Sequence, residues 1–277
     1  MAGRHRRTVG ALVAVGLVGC VGLGAGGCTG SQTAAGAEAM AGDAVVVLRR
    51  AADRLAEAGS SRARTSMEMA TGGTRVTIRG EGVYDYRRRL GRLKVLLPQD
   101  PAGPQRPITE LLAPGALFMK NRGAGVPADK WVRVDTATLS DGNLVTGGAT
   151  DPFAAAEVLR GTRRATFVGS AEVAGTAVRH YRGTADLVVA ARAATKSGRG
   201  ALASAAEGFA TAVVPFDVYL DDMGRIRKVR HRFSFVNGRQ KGPVAVASTI
   251  LLFDFGAPAR VRLPKSEDIY AGRIAEE

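Results

Sequence analysis

Side chains able to do covalent or acid–base chemistry are few in this 277-residue chain: it has two cysteines and three histidines. Beyond the first 28 residues only His180 and His231 remain, each inside an alternating strand pattern and each beside Arg or Tyr. A metal site or an acid–base pair would need them to converge with carboxylates in a cleft. Asp221 and Asp222 stand before Met223-Gly224 without the further alternating oxygen ligands of a calcium loop, so they read as turn residues. Ser60, Ser61, Ser140, Ser204 and Ser248 lie in no nucleophile-elbow context, and neither Gly72-Gly73 nor Gly147-Gly148 leads into a phosphate-binding helix with Lys. No catalytic residue, no metal and no cofactor is expected, and the chain is not expected to be an enzyme.

The cysteines have a different chemistry. Each ends a run of small or apolar residues, Leu17-Val18-Gly19-Cys20 and Ala25-Gly26-Gly27-Cys28. Both look like the lipobox at which bacterial lipoproteins are cleaved and acylated, where small residues thread a peptidase and the thiol takes a diacylglycerol. Leu17 suits the pattern, but apolar residues continue after Cys20. Cys28 is followed at once by the polar Thr29-Gly30-Ser31-Gln32-Thr33. Cys28 is the expected lipidation site, with Cys20 the alternative.

The surrounding composition agrees. Basic residues at Arg4 to Arg7 precede an uncharged stretch, Thr8 to Gly27, which holds seven glycines. That is the layout of a secretory leader over residues 1–27 rather than a permanent span of roughly 20 strongly apolar residues. Residues 28–42 have the composition of a flexible tether, and residues 43–277 form one domain with no cysteine, hence no disulfide. The expected location is the extracytoplasmic face of the cell membrane. Three arginines and no acids precede Cys28, so the formal charge of +14 falls to +11 with the leader removed. Such an excess at a membrane favours anionic headgroups, anionic wall polymer or a protein partner met through a basic face. Nucleic acid is not expected as a partner of an exported chain, and a monomer is.

Around these residues the chain reads as strands with a few helices. Asp43 caps a helix to Ala58 with Val45, Leu48, Ala52 and Leu55 at helical spacing. From Gly73 to Tyr86, Val76, Ile78, Gly80, Gly82, Tyr84 and Tyr86 alternate with mainly polar residues, the period of a sheet with one wet face. Strands follow at Leu93–Leu97, after which a loop with Pro and Gly runs to Pro107, then at Ala116–Lys120 and Lys130–Asp135. Asp151-Pro152 opens a helix that Gly161 closes. Ala165–Val173 and Ala177–Thr184 form a hairpin across Gly175. Asp186 caps a helical insert, Leu187–Phe209, broken around Ser197-Gly198. Phe216, Val218 and Leu220 turn at Asp222-Met223-Gly224 into Val229, His231, Phe233 and Phe235. The last strand, Val244–Phe255, is apolar on both faces, as for a central strand covered on both sides.

The order of these pieces resembles the LppX/LprAFG-type lipoproteins of actinobacteria, which share a half-barrel with the LolA and LolB carriers. The resemblance runs from the Asp43 helix to Leu263-Pro264. It rests on Leu117-Phe118-Met119-Lys120 with Lys130-Trp131-Val132-Arg133-Val134-Asp135, the Asp151-Pro152 helix, Val173-Ala174-Gly175-Thr176 leading to His180-Tyr181-Arg182-Gly183-Thr184, and Pro215-Phe216-Asp217-Val218-Tyr219-Leu220-Asp221-Asp222-Met223-Gly224-Arg225. It implies an α+β fold: a strongly curved antiparallel sheet, helices over its concave face, and an apolar cavity between them that takes the acyl chains of lipids or glycolipids. The strand faces then predict a lining of Met67, Met69, Val76, Ile78, Leu93, Val95, Phe216, Val218, Phe233 and Phe235. Trp131 reads as a packing anchor.

Overall fold

A computed structural model describes residues 42–71, 74–98, 106–123, 125–236 and 243–272. Cys20 and Cys28, with the leader and nearly all of the tether, lie outside the described residues. The described residues open with two short helices, α1 (42–49) and α2 (Ala51–Ala58). They meet at Arg50, whose carbonyl accepts the N–H groups of Asp53 and Arg54. Leu48, Ala51, Ala52 and Leu55 are buried, so one face packs, as the spacing predicts.

The strands are β1 (Ser60–Thr71), β2 (Thr74–Asp85), β3 (Leu90–Leu96), β4 (Ile108–Ala113), β5 (Ala116–Lys120), β6 (Val132–Asp135), β7 (Thr162–Val173), β8 (Thr176–Asp186), β9 (Val213–Leu220), β10 (Ile226–Val236) and β11 (Pro243–Phe253). Helix α3 (Pro152–Val158) lies between β6 and β7, and α4 (Leu187–Ala193) and α5 (Lys196–Gly208) lie between β8 and β9. One 11-stranded sheet runs in the order β6-β5-β4-β3-β2-β1-β11-β10-β9-β8-β7, all pairs antiparallel. Two meanders thus join where the last strand pairs with the first, and the stretch through α3 carries the chain from one edge to the other.

This sheet is open and curved, with helices on its concave side. Laid flat, 11 strands would span about 48 Å at ~4.8 Å spacing. The longest helix, α5, has 13 residues and measures about 20 Å. Yet a single core gathers inward side chains from every strand and all five helices, which requires the sheet to wrap around them. Two glycines permit the close approach of neighbouring strands. A Cβ on Gly82 would run into the Arg92 carbonyl of β3, and one on Gly183 into the Arg164 carbonyl of β7 and the Phe216 ring. Gly82→Ala is therefore expected to cost about 2–3 kcal/mol, seen as a drop of roughly 5–10 °C in thermal midpoint. An unchanged midpoint would mean that β2 and β3 are not held this close.

The helix ends follow local chemistry. Asp151 accepts the N–H groups of Phe153 at 2.7 Å and Ala154 at 3.2 Å, and Asp186 those of Val188 at 2.9 Å and Val189 at 3.2 Å. The expected break at Ser197-Gly198 falls instead at Ala194-Thr195. The buried Glu157 carboxylate accepts the Thr195 N–H at 2.8 Å and starts α5 there, and Gly198 sits inside its first turn because a Cβ would strike that carboxylate. The β7–β8 hairpin turns as expected through Ala174 and Gly175, at φ 49° and 75°.

Three strands depart from the expected pattern. β1 alternates, but its inward set begins Ser61, Ala63, Thr65, too weakly apolar to stand out, and β4 places Glu110 inward between Ile108 and Leu112. β11 is central, but its convex face is not fully covered: Ala245 is exposed, and Leu251 and Phe253 are half-buried. The chain after β11 packs elsewhere, Val261 joining Leu90, Leu111, Ala116 and Phe118 under β3–β5. It then flanks the β6 edge, where the Trp131 N–H bonds the Asp268 carbonyl and the Tyr270 N–H the Trp131 carbonyl, both at 2.8 Å. Trp131 packs partly buried against this small cluster.

Candidate functional site

The two ends of the curved sheet differ. At the end where β2 turns into β3 and β9 into β10, the interior is sealed by tyrosines. Tyr86 shares a 2.7 Å hydrogen bond with the Ser61 hydroxyl, and the Tyr84 hydroxyl donates to Asp151 at 3.3 Å. Burial pushes the Asp151 carboxyl up to about 6 although two backbone N–H groups favour its charge. The middle of the concave face is filled by a plug, residues 141–150. Asp141 holds this segment by accepting the N–H groups of Asn143, Val145 and Thr146 and the Thr146 hydroxyl at 2.6–3.0 Å. Its Leu144, Val145 and Ala149 are buried, and Thr150 bonds the Ser248 hydroxyl of β11 at 2.6 Å.

At the opposite end, where β3 leads towards β4 and β5 towards β6, a concavity of about 710 Å³ reaches the inner face. Ile78, Leu97, Ile108 and Val126 supply its apolar wall, and Arg106, Arg122 and Asn121 its polar side. One residue pair further in, Glu110 is wholly buried on the concave face between Leu93 of β3 and Met119 of β5. Among the described residues neither carboxylate oxygen has a hydrogen-bond partner. Burial pushes the group up to about 8, partly opposed by the Arg122 charge, so it keeps its proton at neutral pH. A Cβ on Gly147 would lie 2.9 Å from its Oε1, so the plug presses directly on this carboxyl.

The ten residues expected to line a cavity all stand on the concave face, and they divide between these two regions. Met67, Ile78, Leu93, Val95, Phe216, Val218 and Phe233 are buried, whereas Met69, Val76 and Phe235 are partly buried against the core. Met69 pairs with Val76, and Met67 with Ile78, near the open end. Val95 lies under the plug beside Gly148, and Phe233 is stacked by Phe209 at 4.9 Å. Of the ten, Ile78 belongs to the 710 Å³ concavity. Sequence reading missed Leu97, Arg106, Glu110, Arg122 and Val126. Arg106, Arg122 and Val126 stand on irregular chain where no periodicity marks a face, although an acid within the apolar run Ile108–Ala113 was a visible signal.

The two histidines among the described residues lie on opposite faces. His231, buried beside Phe216 and Phe233, is pushed down to about 3 by burial. His180 is on the convex face, 2.9 Å from Asp217 and stacked on Tyr219. Burial would raise the Asp217 carboxyl, but hydrogen bonds from Arg232, His180 and Arg182 hold it down at about 2. Asp221 closes its turn by accepting the Met223 and Arg225 N–H groups. Among the described residues no three His, Cys, Asp or Glu side chains gather as metal ligands, and no helix is long and apolar enough to cross a membrane. The arrangement at the open end sets an apolar wall beside two cations and an amide.

No family model and no curated protein sequence matches the chain. Solved structures similar to it include LprF from Mycobacterium bovis, 15% identical over 80% of this chain and 97% of that one, with a TM-score of 0.40. The Mycobacterium tuberculosis lipoprotein LppX is 8% identical over 80% of this chain and 99% of its own, with a TM-score of 0.46. A LolA superfamily protein from Nitrosomonas europaea is 11% identical over 76% of this chain and 94% of its own, with a TM-score of 0.35.

Proposed function

We propose that the protein is an envelope lipoprotein, anchored through Cys28 at the outer face of the cell membrane, that binds or carries acylated lipids or glycolipids and performs no catalysis. In this reading residues 1–27 are removed, residues 28–42 tether the domain, and the domain works as a monomer. The observation that carries it is the concavity at the open end, whose apolar wall continues into the concave core while Arg106 and Arg122 stand beside it. Its volume of about 710 Å³ is on the scale of small-ligand sites. Burial of about ten methylenes at ~0.8 kcal/mol each would support binding near the micromolar range. The two arginines then sit where an anionic or hydroxyl-rich headgroup would emerge.

Native mass spectrometry of the chain purified from an actinobacterial host tests this. The expected spectrum shows a mature chain starting at a diacylated Cys28 and carrying one further, non-covalent acylated molecule. A chain that arrives empty and takes up no added lipid would refute the carrier reading, and a mature N-terminus elsewhere would refute the anchor.

A further inference from the structure

The convex face holds a second concavity of quite different character. Between β1, β2, β3 and the chain leaving β11, a groove of about 430 Å³ is walled by Arg62, Arg64, Arg92, Lys94 and Arg260, with Glu81 as its carboxylate. Register orders these charges. Arg62 and Arg92 both pair across Val83, and Arg64 and Lys94 both pair across Glu81. The two rows lie about 7 Å apart along the strands, and the cations within a row about 10 Å apart across two strand spacings. Arg62 meets Asp254 at 3.6 Å with both side chains 60% exposed. Among the described residues, Arg64, Arg92, Lys94 and Arg260 have no carboxylate within 4 Å.

Cations gathered in this way repel one another, and apart from the exposed Arg62–Asp254 contact and the Arg64 guanidinium over Phe253 they gain little from the fold, so their concentration in a groove calls for an anionic occupant. A single phosphate is too small to reach all four strand positions at once. A chain with repeated anions can engage both rows. Nucleic acid would also bring stacking bases, but Phe253, the aromatic of this groove, is already covered by the Arg64 guanidinium at 5.0 Å. We propose that the convex groove binds an extended anionic polymer with phosphodiester repeats, of the kind found in wall glycopolymers. The site faces away from the apolar concavity and is independent of the lipid reading.

The test titrates the full chain, in neutral detergent, with polyglycerol phosphate, monomeric glycerol phosphate, a single-stranded oligonucleotide, and vesicles of mixed phosphatidylglycerol and phosphatidylcholine. The polymer is expected to bind more tightly than the other three at equal phosphate, with an affinity that falls as salt rises. Joint R92Q and K94Q substitution is expected to weaken polymer binding on the order of tenfold or more. E81Q is expected to tighten it, which no folding defect would do. R192Q with R199Q, on exposed parts of α4 and α5, serves as the control for net charge. Equal weakening in that control, no change in the R92Q/K94Q chain, or tighter binding of vesicles or oligonucleotide would overturn the proposal. Lipid content, measured on the same preparations, is expected to be the same in all variants.

Discussion

Replacing Glu110 by Leu is expected to stabilise the protein on the order of 4 kcal/mol at pH 8, a rise of roughly 10 °C in thermal midpoint. The carboxyl is wholly buried and has no hydrogen-bond partner among the described residues, and it keeps its proton in the fold up to about pH 8 against an ordinary value of 4.5. Between those values the unfolded chain binds fewer protons than the folded one, so stability falls as pH rises from about 4.5 to 8. The substitution removes that slope. Below pH 4.5 only the burial of a neutral, unpaired carboxyl is relieved, about 1–2 kcal/mol, and the gain shrinks accordingly. His231 acts in the opposite direction: neutral in the fold down to about 3, it would gain a proton near 6.5 when unfolded, so stability is lost as pH falls through that window. The acid limb is therefore expected to survive in the Glu110→Leu variant. Thermal midpoints of both chains across pH 4–9 decide the matter. Parallel curves would show that Glu110 is solvated or paired.

Leu97→Arg is expected to empty the site. Leu97 is half-buried at the wall of the 710 Å³ concavity, and a guanidinium there would face the acyl chain, with no carboxylate among the described lining residues to offset its desolvation. Lipid carried per chain should fall at least about tenfold, since a loss of even two buried methylenes is worth that factor. Leu96→Arg supplies the control. Its neighbouring side chain points to the convex face and is 52% exposed, so the same charge one residue away should leave lipid content unchanged. Equal loss in both variants would attribute the effect to general destabilisation. No loss in either would place the acyl chain elsewhere on the concave face.

Much of the architecture was legible from local pattern. Val76, Ile78, Gly80, Gly82 and Tyr84 declared their common face by period two. Asp151-Pro152 and Asp186 declared helix starts, and Ala174-Gly175 a hairpin, because capping and left-handed turns are decided by a few neighbouring residues. The concave placement of all ten apolar candidates was legible for the same reason. Their division into filled core and open rim was not, since it depends on where residues 141–150 lie, a segment whose course is set by the Asp141 carboxylate and by Ser248 far along the chain. β4 stayed hidden because an inward Glu breaks the alternation by which a strand is recognised, and an acid is tolerated there only when tertiary burial keeps it neutral. The basic groove shows the same boundary. The excess of arginine is a property of composition, but the pairing of Arg62 with Arg92 and of Arg64 with Lys94 across β2 exists only once three strands are in register, because charge is counted along the chain and felt through space.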